Sequence, residues 1–341
     1  MSDPVDPHVR TRAAMEDSSR DLSYPPSPEA LVVPVYDNHT HLEIADGENP
    51  LHYREHLDRA SAVGVRGVVQ VGPDVIPSRW SAAVAAREPR VLAAVALHPN
   101  EAPALVESGE LDAALAQIDE LAAQPRVVAI GETGLDFFRT DSESGRAAQI
   151  RSFEAHIELA KKHDLALQIH DRDAHEEVVR TLLRVGAPDR VVFHCFSGDI
   201  ELASILAERG WYASFAGTVT FKNARNLRDS LEILPRALLL VETDAPFLTP
   251  HPHRGRPNGP YLLPWTMRAI ADHLGTDPSM LAAQLSSNTE LVYGHWDAEP
   301  VTSPGDPWAD RIEEIPGHPA DLTDGPDHSG SSTSGSDSSG S

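Results

Sequence analysis

The 341-residue chain is poor in several things, and each shortage excludes something. It has one cysteine, Cys195, so no internal disulfide framework can hold it, and a reducing, cytoplasmic setting is expected. No run of 18 or more apolar residues occurs, so no membrane span is expected. The N-terminus, MSDPVDPHVRTRAAMEDSSRD, has no apolar core of the kind a secretory signal needs. Basic residues are scarce: 28 Lys and Arg stand against 52 Asp and Glu, for a net charge of -24. Residues 1–30 contribute -3 and residues 301–341 contribute -7, so the stretch between carries -14. A surface of that sign repels phosphate backbones at long range and argues against tight, non-specific nucleic-acid binding. It leaves open an enzyme that handles phosphodiesters at a metal ion, where the ion supplies the local positive charge. Aromatic residues make up only 6%, few for a protein that grips long single strands by stacking.

The hydrophobic fraction of 40% is ample for a large core, and it is concentrated in the middle of the chain. Residues 1–30 lack hydrophobic periodicity. From about 298 onward Pro, Gly, Ser and Asp dominate, ending in SGSSTSGSDSSGS. Such composition buries too little apolar surface to offset chain entropy, so disordered extensions are expected at 1–30 and 298–341, around a single domain at 31–297.

That middle alternates short apolar runs with helical patterns. The strand candidates are 32–37, 67–72, 91–97, 127–132, 165–170, 190–195, 211–216 and 237–242. Each is apolar throughout, as strands buried on both faces should be. Residues 149–164 form the clearest amphipathic helix, with Ile150, Phe153, Ile157 and Ala160 on one face, and 175–186 form another. Eight strands separated by helices predict a closed (β/α)8 TIM barrel of about 250 residues. An open doubly wound sheet would instead carry a Gly-rich phosphate loop after its first strand, where this chain has Asp-Asn-His-Thr-His.

In such a barrel the active site lies at the C-terminal ends of the strands. The polar residues there are His39 and His41 on the first strand, Glu132 on the fourth, His170 on the fifth, His194 on the sixth and Asp244 on the eighth. His-x-His places two imidazoles on one side of an extended chain, although two partly exposed histidines would show the same spacing. Glu132, in GETGLD, could bridge two cations through its two oxygens or serve as a loop carboxylate. His170 and His194 close buried strands and need partners for their ring nitrogens. Asp244 could ligate and also accept a proton from water. Together these side chains suit one or two divalent ions, Zn or another first-row metal, or Mg or Mn if carboxylates and water dominate. Cys195 reads as a small buried hydrophobe.

The motifs DNHTHLE, GETGLDF, QIHDRDA, FHCFSGD and VETDAPFL, in this order and spacing, resemble the TatD family of metal-dependent deoxyribonucleases within the amidohydrolase-like superfamily. The likeness runs from about Val32 to His295 and takes in Gln149, Phe153, Asn258, Tyr261 and Asn288. It implies metal ligation by His39, His41, Glu132, His170, His194 and Asp244, with Glu132 at the bridging position. Related superfamily members use a modified lysine there, but the only lysines here are Lys161, Lys162 and Lys222, none at the end of the fourth strand. The implied activity is DNase-like, a 3′-to-5′ exonuclease acting on DNA or another phosphodiester, with Asp244 and Glu132 as catalytic groups. Arg172, His98 and Lys222 are candidates to contact a substrate phosphate. Metal ligands alone do not separate this activity from hydrolysis of small amides, lactones or phosphomonoesters. A non-enzymatic binding module is a further alternative, but it would be expected to have lost ligands.

Overall fold

The computed structural model describes residues 10–12 and 20–296. Eight parallel strands form one sheet: β1 (Val35–Thr40), β2 (Val65–Gly72), β3 (Val91–Val95), β4 (Val127–Asp136), β5 (Ala166–Arg172), β6 (Val191–Phe193), β7 (Tyr212–Phe215) and β8 (Leu239–Val241). Each pairs with the next in sequence. The first and last meet through a parallel bridge between Thr40 and Ala245 and through bonds from His41 N to Ala245 O (2.8 Å) and Asp244 N to His39 O (2.9 Å). The sheet is therefore a nearly closed barrel, as expected.

All eight expected strands are present, with shifted ends. β1 begins three residues later than the apolar run suggests, because Pro34 has no N–H to give to a ladder and the chain bends before it. β4 and β5 run past their apolar stretches into Thr133–Asp136 and Asp171–Arg172. Helices pack outside the strands. The Glu143–His163 helix buries Phe153, Ile157 and Ala160, with Ile150 half-buried at its edge. Val68, Val91, Ile130, Leu167, Val191 and Val241 face such helices in the main core.

A second, smaller cluster lies inside the barrel. Tyr36, Val69, Leu92, Ala94, Ala166, Val192 and Leu240 pack with Val292, Tyr293 and Trp296. The last three come from the C-terminal helix Pro278–Tyr293 and the residues after it, which close the end of the barrel opposite the strand C-termini. Polar groups join that seal. Tyr36 and Trp296 stack at 4.2 Å, Tyr36 Oη donates to Glu290 (2.8 Å), and Thr289 donates to Asn38 Oδ1 (3.1 Å). Gln168 Nε2 donates to Asn38 O (2.9 Å), and its side chain also bonds the Tyr293 hydroxyl (2.7 Å).

The described parts of residues 1–30 depart from the expectation of a disordered segment. Arg10–Thr11 pair in parallel with Ile44–Ala45, in the loop that follows β1. Arg10 pairs with Glu43, while Arg12 and Arg20 both pair with Asp46. Farther along, Pro25 O accepts from Tyr261 Oη (2.7 Å), Tyr24 O from Arg256 (2.9 Å) and Glu29 O from Arg268 (2.8 Å). The segment is held largely through ion pairs and its own carbonyls, which leaves no hydrophobic period to read. Residues 298–341 lie outside the described residues.

Candidate metal centre

Two glycines bring the site together. An added Cβ on Gly131 would lie 2.4 Å from Gln168 Cβ, and one on Gly134, at φ +140°, would lie 2.1 Å from His170 O. Only glycine lets β4 run this close to β5, and that approach sets Glu132 beside His170. Gln149, buried on the Glu143–His163 helix, fixes the end of β4 by accepting from Asp136 N (2.9 Å) and donating to Thr140 Oγ1 (2.9 Å). Asn258 fixes the loop after β8 by donating to Thr243 O (3.0 Å) and Phe247 O (2.6 Å). That loop carries Asp244 in a left-handed conformation (φ 53°), which aspartate tolerates better than most side chains.

The six ligand candidates all reach one cluster, and His98 joins them. Their ligating atoms fall into three overlapping triads, each within 4.8 Å: His39, His41 and Asp244; His39, Glu132 and His194; and His98, Glu132 and His170. Glu132 is shared by two triads. Its Oε2 lies 2.9 Å from His194 Nε2 and 3.3 Å from His170 Nδ1, and its Oε1 lies 3.6 Å from His41 Nε2. Asp244 Oδ1 lies 3.6 Å from His41 Nε2 and 3.8 Å from His39 Nε2. The His39 and His194 rings stack at 3.9 Å.

Ring nitrogens crowd together without carboxylates between them. His39 Nε2 and His41 Nε2 are 3.2 Å apart, and His98 Nε2 and His170 Nδ1 are 3.3 Å apart. Outer contacts orient two of the rings. His41 Nδ1 lies 3.0 Å from Val71 O and so carries the proton, which leaves Nε2 as a lone pair aimed inward. His194 Nδ1 is held by Glu242 at 3.2 Å. Buried lone pairs converging with two carboxylates fit a divalent first-row cation by donor type.

The electrostatics follow from burial and crowding. Burial, reinforced by the charge of His194, pushes His39 well below its ordinary proton affinity, and burial lowers His41 as well. Burial, with His170 nearby, lowers His98 to about 3. Burial opposes ionisation of Glu132, but the surrounding histidines, with His194 charged and His170 and His194 hydrogen-bonded to it, outweigh it and hold the carboxyl well below its usual range. His194 is raised against its own burial by Glu132 and Glu242, so it forms an ion pair with Glu132. Asp244 is raised by burial and by the nearby Glu132 and Glu242. Burial raises the Cys195 thiol far from thiolate formation, consistent with an inert side chain.

The remaining candidates divide. Arg172, at the end of β5, lies at the rim with its guanidinium 3.9 Å from the centre of the Phe138 ring. Lys222 is exposed, and among the described residues no hydrogen bond or ion pair joins its ammonium to the cluster. Three carboxylates that the strand-end pattern does not mark also reach the cluster. Glu242 holds His194; Asp136 lies 3.4 Å from His170 Nε2; and Asp37 accepts from Thr243 N (2.9 Å) and from His39 N (3.3 Å). A signal for Glu242 existed, since it stands two residues before Asp244 and ends its own apolar run.

Residues 36–294 match the family described as TatD related DNase. A Mycobacterium tuberculosis protein named uncharacterized metal-dependent hydrolase TatD is 44% identical over 263 residues, covering 76% of this chain and 98% of its own. An Escherichia fergusonii protein named 3′-5′ ssDNA/RNA exonuclease TatD is 35% identical over 246 residues, covering 70% and 91%. The crystal structure of YjjV, a TatD homologue from Escherichia coli K12, superposes with a TM-score of 0.69 at 27% identity, covering 76% and 98%. Among the described residues no helix is long and apolar enough to cross a membrane.

Proposed function

The chain belongs to the TatD family of metal-dependent hydrolases related to DNases, and on that premise we propose that it cleaves phosphodiester bonds of single-stranded DNA from the 3′ end. The observation that carries this reading is the convergence of His39, His41, His98, Glu132, His170, His194 and Asp244 in three overlapping triads at the open end of the barrel. We assign His39, His41, Glu132, His170, His194 and Asp244 as ligands of one or two divalent ions (Zn, Mn or Mg), with Glu132 shared. His98, seated among the same atoms, is either a further ligand or a donor to the substrate phosphate. A divalent ion held there supplies a Lewis acid for phosphoryl oxygen and brings the pKa of water to roughly 7.

The protein's own groups do the rest. Val71 O and Glu242 fix the His41 and His194 rings, so the site is arranged before substrate arrives. Asp244 is the most exposed member of the His39–His41–Asp244 triad and faces the mouth. A carboxylate in that position is placed to take a proton from the attacking water. Arg172 at the rim can donate two N–H groups to a phosphate oxygen pair.

A second reading rests on the net charge of -24, which favours a small phosphoester or ester over a long strand. Purified protein assayed with added Zn, Mn and Mg against single-stranded DNA and a panel of small esters separates the two. Strand cleavage that stops in Asp244→Asn, with the melting temperature kept, supports the nuclease reading. Cleavage of small esters alone favours the second, and near wild-type activity in Asp244→Asn removes the role given to that carboxylate.

A further inference from the structure

Phe138 stands out on the rim of the site. It is 61% exposed, and it is the one aromatic among the large apolar side chains that lie in the open in the described structure. The turn that carries it is firmly built. Arg139 N donates to Asp136 Oδ1 (2.9 Å), Thr140 N donates to Asp136 O (3.2 Å), and Phe137 N donates to Arg172 O (2.9 Å). Phe138 is therefore displayed by a rigid turn at the C-terminal end of β4, two residues beyond the carboxylate that touches His170. Arg172, two residues beyond His170 itself, lays its guanidinium over the ring at 3.9 Å. Core packing does not account for this position, since most of the ring faces solvent. Stacking against Phe138 orients the planar guanidinium and leaves its N–H edge free.

We propose that Phe138 and Arg172 form a nucleotide subsite beside the metal centre. Phe138 stacks a base near the cleaved end, and Arg172 donates to the adjoining phosphate. This rests on the phosphodiesterase reading above and adds to it a determinant for unpaired strands. Stacking requires an exposed base face, which a single strand offers and a duplex withholds. It also needs little cationic surface, which suits a chain with 28 basic and 52 acidic residues.

The test uses the full chain with metal and three substrates: a single-stranded 12-mer, the same 12-mer with reduced abasic residues at the second to fourth positions from the 3′ end, and bis(p-nitrophenyl) phosphate. Wild-type protein should prefer the intact 12-mer by about 10-fold or more in kcat/KM. Phe138→Ala should lose that preference, and Phe138→Trp should restore it. Phe138→Ala that keeps the wild-type preference overturns the subsite, as does a wild-type protein that cleaves both 12-mers equally well; in both cases the phosphodiesterase reading stands. A wild-type protein that cleaves the small diester but neither 12-mer also overturns the subsite. Failure to cleave any of the three overturns the reading of the site and the subsite with it.

Discussion

The two ends of this barrel bury polar groups in opposite ways. At the closed end, Asn38, Gln168, Thr289 and Tyr293 bond to one another and to the backbone beneath the Tyr36–Trp296 stack. Gln168 Oε1 and Trp296 Nε1 are left over, but these groups are neutral and the rest are matched. At the open end, ring nitrogens face ring nitrogens at 3.2 and 3.3 Å, and two carboxylates sit among them. Burying such groups costs free energy unless something pairs them. Within one molecule, the arrangement that satisfies itself reads as structure, and the one that asks for an outside cation reads as function.

The largest effect should come from breaking the shared carboxylate at the open end. Glu132→Gln should lower strand cleavage by about 10³-fold, the scale of several kcal/mol of lost charge stabilisation, and should lower bound metal by elemental analysis. Unchanged metal content would show that Glu132 is not shared between ions.

A smaller effect separates the two kinds of histidine by pH. His156 is fully paired: Nδ1 lies 2.7 Å from Ser152 O, and Nε2 accepts from Leu97 N at 3.0 Å. Burial lowers its pKa from 6.5 to about 4, so the unfolded chain takes up the proton first. Stability from this group is complete above pH 6.5 and is lost as pH falls from there through about 4, by roughly 3 kcal/mol. Denaturant unfolding of His156→Gln across that range should show a flatter pH dependence. An unchanged slope would place the acid sensitivity elsewhere.

The smallest effect belongs to the closed end. Tyr293→Phe removes a bond to Gln168 and should cost about 1 kcal/mol in thermal or denaturant unfolding, with strand cleavage kept. A fall in cleavage would couple the two ends and blur the contrast.

The sequence showed the barrel clearly and the site in part, and the dividing line is physical. Apolar runs mark where strands lie, so all eight could be found. Those runs stop where polarity begins, and here the polar stretches are the strand ends that carry the candidate site. β4 continues from Glu132 to Asp136 and β5 from His170 to Arg172, which a reading by hydrophobicity ends too soon. Asp136 and, beyond it, Phe138 therefore lie past the point that hydrophobicity marks. The ligand candidates are legible because His and Glu at strand ends are rare enough to be noticed together. The groups that orient them, Val71 O and Glu242, depend on which strands lie side by side. Residues 20–30 are held by ion pairs and backbone carbonyls, which leave no periodic trace in the sequence.

Three arginines before β1 reach back to the loop beside the candidate metal centre. The family match starts at residue 36, yet Glu43 and Asp46, in the loop just past His41, take their guanidinium partners from Arg10, Arg12 and Arg20. Trimmed to its family core, the protein would carry those acids uncovered at the edge of the metal centre. A boundary drawn at the start of the family match would thus cut through these ion pairs.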